Sequence, residues 1–166
     1  MKRKSTLIIL MAIVAIVLAA CSTTASPTTD TNNTSSTTST FTGAKLNLNT
    51  VTGDQLLATI PGFGNRMVRE FQEYRPYISI QQFRKEIGKY VDDAQVTEYE
   101  KYVYVPISIN DSDSETLQQI SGLDATEAET LISSRPYAST DAFLTKLSTF
   151  VSADELEIAK SYLGAN

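Results

Sequence analysis

Seven residues, Ile60-Pro61-Gly62-Phe63-Gly64-Asn65-Arg66, form the one local pattern in this chain that points to a specific chemistry. Two glycines bracket a bulky apolar residue between two amphipathic stretches, as in a tight helix-to-helix turn that glycine closes without steric penalty. The amides that open the next helix, near Gly64, Asn65 and Arg66, would then face outward with no intrahelical acceptor. A helix N-terminus also carries partial positive charge, so an oxyanion fits there, and a nucleic-acid phosphate is the natural one. Other chemistries are thinly supplied. The chain has no histidine and one cysteine, which removes zinc clusters, Ser-His and Cys-His nucleophiles and any intramolecular disulfide. Its carboxylates show no spacing that singles out the paired acids of a hydrolase. The chain is read as non-catalytic, with no metal and no cofactor.

The elements that must position this turn read as helices. Thr52-Gly53-Asp54-Gln55 has the form of a capping box ahead of Leu56, Leu57 and Ile60. A second helix is predicted from about Asn65 to Tyr74, with Met67, Val68 and Phe71 on one face and Arg66, Arg69, Gln72 and Glu73 on the others. Pro76 stops it. Ser79 then caps a helix carrying Ile80, Phe83 and Ile87, and Asp92 caps one carrying Val96, Tyr99 and Val103. From Lys45 onward the sequence repeats with a sixty-residue register. Gly62 falls on Gly122, Arg75-Pro76-Tyr77 on Arg135-Pro136-Tyr137, Phe83 on Phe143 and Tyr102 on Tyr162. Such self-similarity implies two copies of one four-helix unit, joined by an extended segment over Tyr102 to Ile109. The Arg-Pro-Tyr triplets are read as structural corners, and Tyr90, Tyr99, Tyr102 and Tyr104 as core or connector residues.

The N-terminal forty residues differ in kind. Met1-Lys2-Arg3-Lys4 and the apolar run from Leu7 to Ala20 are too short and wrongly flanked for an ordinary membrane span, and read as a signal peptide. Its end, Leu18-Ala19-Ala20-Cys21, resembles the bacterial lipobox. That resemblance implies acylation of Cys21 and a lipid anchor in the cell membrane or outer membrane, facing outside the cytoplasm. Ser22 to Thr42 is almost entirely Ser, Thr and Asn, a composition that makes a flexible tether with a reach of about 25 Å.

Charge separates the two copies. Once Lys2, Arg3 and Lys4 are removed with the signal, eleven basic residues face nineteen acidic ones, a net −8. Residues 46–105 hold seven basic and eight acidic side chains, whereas residues 106–166 hold three and ten. If either half meets a polyanion it is the first. In the second copy the turn has become Ser121-Gly122-Leu123-Asp124-Ala125-Thr126-Glu127, which sets Asp124 and Glu127 where a phosphate would approach. Like charges repel there, so Asp124 is expected to cap its own helix instead.

Leu46-Asn47-Leu48-Asn49-Thr50, Asp54-Gln55-Leu56, Ile60-Pro61-Gly62-Phe63-Gly64, Phe71, Tyr74-Arg75 and Ile80 with Phe83 resemble the helix-hairpin-helix domain of ComEA-type competence proteins. The resemblance covers residues 46–105 and, more weakly, 107–163. It implies an all-α fold and a membrane-associated receptor for double-stranded DNA during uptake. By position it places DNA contacts at Gly62, Phe63, Gly64, Asn65, Arg66 and Arg69. The expected organisation is a lipoprotein signal peptide at 1–20, the lipidated Cys21 and a linker at 21–43, a first helix-hairpin-helix module at 44–105, and an acidic second module at 106–166. Backbone amides and arginines read phosphates rather than bases, so binding would be independent of sequence and sensitive to salt. The alternative expectation is a lipid-anchored scaffold that binds a protein partner through residues 106–166 and no DNA.

Overall fold

Side-chain oxygens open nearly every described helix of this protein. The computed structural model describes residues 43–164; Cys21, the signal segment and the Ser/Thr-rich linker through Thr42 lie outside the described residues. Within them the chain is mostly helical. The first half contains α1 (Gly53–Thr59), α2 (Asn65–Glu73), α3 (Ile80–Ile87) and α4 (Asp93–Tyr99). The second contains α5 (Ser114–Leu117), α6 (Ala125–Ser133), α7 (Thr140–Leu147) and α8 (Ala153–Tyr162). Thr52, Ser79, Asp92, Asp113, Asp124, Ser139 and Ser152 each accept a hydrogen bond from the amide three residues on. Each such cap satisfies one amide that the helix cannot and contributes about 1 kcal/mol. The exception among the described helices is α2, whose cap is Gly64 and has no side-chain bond.

Two strands qualify the all-helical expectation. β1 (Leu46–Asn47) lies parallel to β2 (Val103–Tyr104), with Leu46 opposite Val103 and Asn47 opposite Tyr104. The amides of Leu46 and Leu48 donate to the carbonyls of Tyr102 and Tyr104 at 2.7 and 2.9 Å. A parallel bridge of Ile107 with Leu163 returns the C-terminal end of the chain to the same central segment.

That segment does more than connect. Successive residues of an extended chain point to opposite sides. Val103 and Val105 accordingly enter the apolar cluster of the first half, while Tyr104 between them enters that of the second; Ile107, beyond Pro106 and outside this alternation, joins the second as well. The first cluster centres on Phe71, fully buried with Phe63, Phe83 and Tyr99 edge-on to it at 4.8, 5.2 and 5.4 Å. Each such ring pair contributes about 1 kcal/mol beyond the area it buries. The second gathers Leu117, Leu131, Phe143 and Leu147. Polar groups cross the seam as well. The Ile80 amide at the start of α3 donates to the buried Thr116 hydroxyl of α5 at 2.9 Å, and the Val105 amide donates to Gln119 Oε1 at 2.8 Å. On the surface Arg84 donates to both Glu100 and Glu115.

The two Arg-Pro-Tyr corners are built alike. Asn49 donates to the Tyr77 carbonyl and accepts from its amide, at 2.9 and 2.8 Å. Asn110 does the same for Tyr137, at 3.1 and 2.8 Å. Arg75 donates to the Val51 carbonyl, and Arg135 to those of Ile109 and Ser112.

Candidate nucleic-acid interface

The turn between α1 and α2 takes its shape from three residues. Gly62 has φ +70°, a left-handed conformation that costs an L-residue about 1–2 kcal/mol. Phe63 folds inward, 8 % exposed, with its ring edge-on to Phe71 and Tyr99, and its amide donates to the Ile60 carbonyl at 3.1 Å. Gly64 caps α2 with φ −115° and ψ 160°, an extended conformation open to any residue. Nothing lies within 4 Å of where a Cβ on Gly64 would stand. Neither backbone geometry nor packing within the described residues explains why this position lacks a side chain. Its effect is to leave the first turn of α2 bare.

The first intrahelical bond of α2 runs from the Val68 amide to the Gly64 carbonyl at 3.1 Å. Ahead of it the amides of Gly64, Asn65, Arg66 and Met67 have no hydrogen-bond acceptor among the described residues. Gly62, Gly64, Asn65, Arg66 and Arg69 are all exposed. Three residues apart on one helix, Arg66 and Arg69 lie on neighbouring surface positions. Neither forms an ion pair among the described residues, although Glu70 and Glu73 stand at helical spacing. The turn thus presents unpaired amides, a helix N-terminus and two unpaired guanidinium groups to solvent.

Five of the six predicted contact residues come together on this surface; Phe63 does not. Its side chain belongs to the core and its amide is bonded to the Ile60 carbonyl, so it shapes the turn. The lipidation site Cys21 lies outside the described residues.

One neighbour of the turn carried no functional signal in the sequence. Tyr90, expected in the core or connector, lies half-buried in the turn that connects α3 to α4, and the guanidinium carbon of Arg66 lies 5.8 Å from its ring centre. The Tyr90 and Tyr74 hydroxyls share a 2.7 Å hydrogen bond. That bond, and next the Glu70 carboxylate, hold the Tyr90 phenol well above its usual range, so it stays neutral. Lys89 lies over the Tyr74 ring at 5.0 Å and pairs with Glu86. No sequence signal links Arg66 to Tyr90, because they sit on elements separated by the whole of α3.

The turn from Ile120 to Ala125 completes the picture by contrast. Gly122 has φ +81°, and Leu123 is buried like Phe63. Here Asp124 caps the helix, as expected. Its carboxylate accepts from the Glu127 amide at 2.8 Å, and Glu127 accepts from the Asp124 amide at 2.9 Å. Both oxygens of Glu155 stand 2.7 Å from where a Cβ on Gly122 would be. Ser152 donates to Glu155 first through its backbone and then through its hydroxyl, holding that carboxyl below its ordinary value and therefore charged.

Fold and site together define a mostly helical protein with one uncapped, cation-flanked helix turn. Comparison with known proteins found no matching family model, no matching curated protein and no matching solved structure.

Proposed function

We propose that this protein is a non-catalytic helix-hairpin-helix protein of the ComEA type, built as two tandem four-helix modules and held to a membrane through Cys21. It binds duplex DNA without sequence specificity, through phosphate contacts at the first turn, and serves DNA uptake. One observation carries this reading: of the described helices, only α2 lacks a side-chain cap, and the amides left bare stand beside two arginines with no ion-pair partner. A phosphate oxygen supplies both what the amides and what the guanidinium groups lack. Gly64, Asn65 and Arg66 would donate from the backbone, with Arg66 and Arg69 adding charge. The near-neutral first half is the half suited to a polyanion.

A second reading, a lipid-anchored scaffold that binds no DNA, draws on the second half, where Asp124, Glu127 and Glu155 surround the corresponding turn and the net charge is −7. A partner with a basic surface would suit it. Reversal of both arginines separates the two. Arg66→Glu with Arg69→Glu is expected to abolish binding of labelled duplex by fluorescence anisotropy while leaving the thermal melt unchanged. Duplex binding that survives the reversal would favour a site elsewhere.

A further inference from the structure

The half-buried ring of Tyr90 is not part of the core cluster of the first half, although Tyr74 and Val91 beside it pack against that cluster. Its hydroxyl is tied to Tyr74, and Arg66 lies over its ring, 5.8 Å from the centre. At the corresponding place in the second half stands Phe150, which packs against that half's core, and at the place of Arg66 stands Thr126. Both rings are half-buried and each has a cation over it, Lys146 over Phe150 at 5.5 Å and Arg66 over Tyr90 at 5.8 Å; what the first half alone combines is a ring hydroxyl bonded to Tyr74 and a cation that comes from the first turn of the helix after the glycine turn.

We propose that Tyr90 is a positioning residue for Arg66, holding the guanidinium at the N-terminus of α2 in the orientation that meets a phosphate. This rests on the reading of the turn as a DNA site. A guanidinium over an aromatic ring engages the ring through its face, and its N–H donors, which lie in its plane, stay available to oxygen acceptors. An arginine free in solvent must give up side-chain entropy to make the same contact. The Tyr74 hydroxyl fixes the ring, the ring fixes Arg66, and no carboxylate competes for it within ion-pair distance.

The test uses the full-length chain in detergent micelles with a labelled duplex over a range of salt concentrations. Tyr90→Leu is expected to weaken binding about three- to fivefold and to lower the magnitude of the salt slope by about one. Tyr90→Phe, which keeps the ring under Arg66 and loses only its bond to Tyr74, is expected to lose about twofold, less than Tyr90→Leu. Arg66→Lys keeps the charge without the planar group; it should weaken binding as Tyr90→Leu does, and combining the two should add no further loss. Without DNA, the side-chain protons of Arg66 should show an upfield ring-current shift by NMR in wild type and Tyr90→Phe that disappears in Tyr90→Leu. An unshifted Arg66 in wild type, or a folded Tyr90→Leu chain with wild-type affinity and slope, would overturn the positioning role and leave the hairpin reading standing. A wild-type chain that binds no duplex at low salt would overturn both. Should Tyr90→Leu fail to fold, Arg66→Lys and the wild-type NMR shift decide: full affinity in the one, or no shift in the other, overturns the role.

Discussion

At Gly62 and Gly122 the backbone takes the same turn, with φ of 70° and 81°, and in each the next residue, Phe63 or Leu123, is buried and donates its amide to the carbonyl of Ile60 or Ile120. Beyond that common frame the two turns diverge. Around the first, the space over Gly62 is open, the cap has no side chain, and two unpaired arginines follow. Around the second, Glu155 fills the space over the glycine, Asp124 and Glu127 close a capping box, and Thr126 and Glu129 stand where the arginines would. Gly64 and Asp124 share one extended backbone conformation, so the fold accepts a capping side chain at this place. The comparison separates what the turn needs in order to form, a left-handed glycine and a buried apolar neighbour, from what is left over. The residue types left over at the first turn are those that attract an anion, and at the second those that repel one.

The two glycines offer the largest test of this separation. Gly62→Ala should cost about 1–2 kcal/mol for its left-handed backbone alone, read as a lower urea midpoint at unchanged slope. Gly122→Ala should cost more, because the new methyl would stand 2.7 Å from a carboxylate held by Ser152. Adding Glu155→Ala to both variants should bring the two costs together. Equal costs in the presence of Glu155 would contradict the covered second turn.

A smaller difference separates the corners. The Tyr77 hydroxyl and Arg75 Nε are buried with no partner, whereas the Tyr137 hydroxyl donates to the Leu131 carbonyl at 2.9 Å and Arg135 Nε to that of Ile109. Removing a bonded hydroxyl costs about 1 kcal/mol, while removing a buried hydroxyl without a partner costs nothing or stabilises. Tyr137→Phe should therefore lower the thermal midpoint and Tyr77→Phe should leave it unchanged or raise it. The reverse order would contradict the geometry of the two corners.

The helices and their caps were legible in the sequence because the signals are local: Thr52 with Gln55, Asp124 with Glu127 and Ser152 with Glu155 are three residues apart. The sixty-residue register likewise locates the second turn and exposes its acidic character. Features made by distant pairs carried no such signal. The parallel pairing of Leu46–Asn47 with Val103–Tyr104 joins the two ends of the first half. The bond between Asn49 and Tyr77, which explains why an asparagine precedes α1, spans α1 and α2. Phe63 was assigned to the ligand although its apolar type fitted the core, because its glycine neighbours dominated the pattern. Tyr90 was read as a core or connector residue, and only the packing of α2 against the turn after α3 brings it under Arg66.

Gly64 decides most directly between a turn left bare for a ligand and one that merely lacks a cap. Labelled duplex should be titrated with the full-length chain, wild type beside Gly64→Asp, by fluorescence anisotropy at several salt concentrations, with a urea unfolding curve for each. Asp is as good a cap as any, so stability should hold or rise by a few tenths of a kcal/mol. Wild-type affinity should fall with salt at a slope of about −0.9 per phosphate neutralised, and Gly64→Asp should bind at least about tenfold more weakly, through repulsion and loss of the free amides. Equal binding by the two chains, or none by wild type at low salt, would contradict a phosphate site at the first turn.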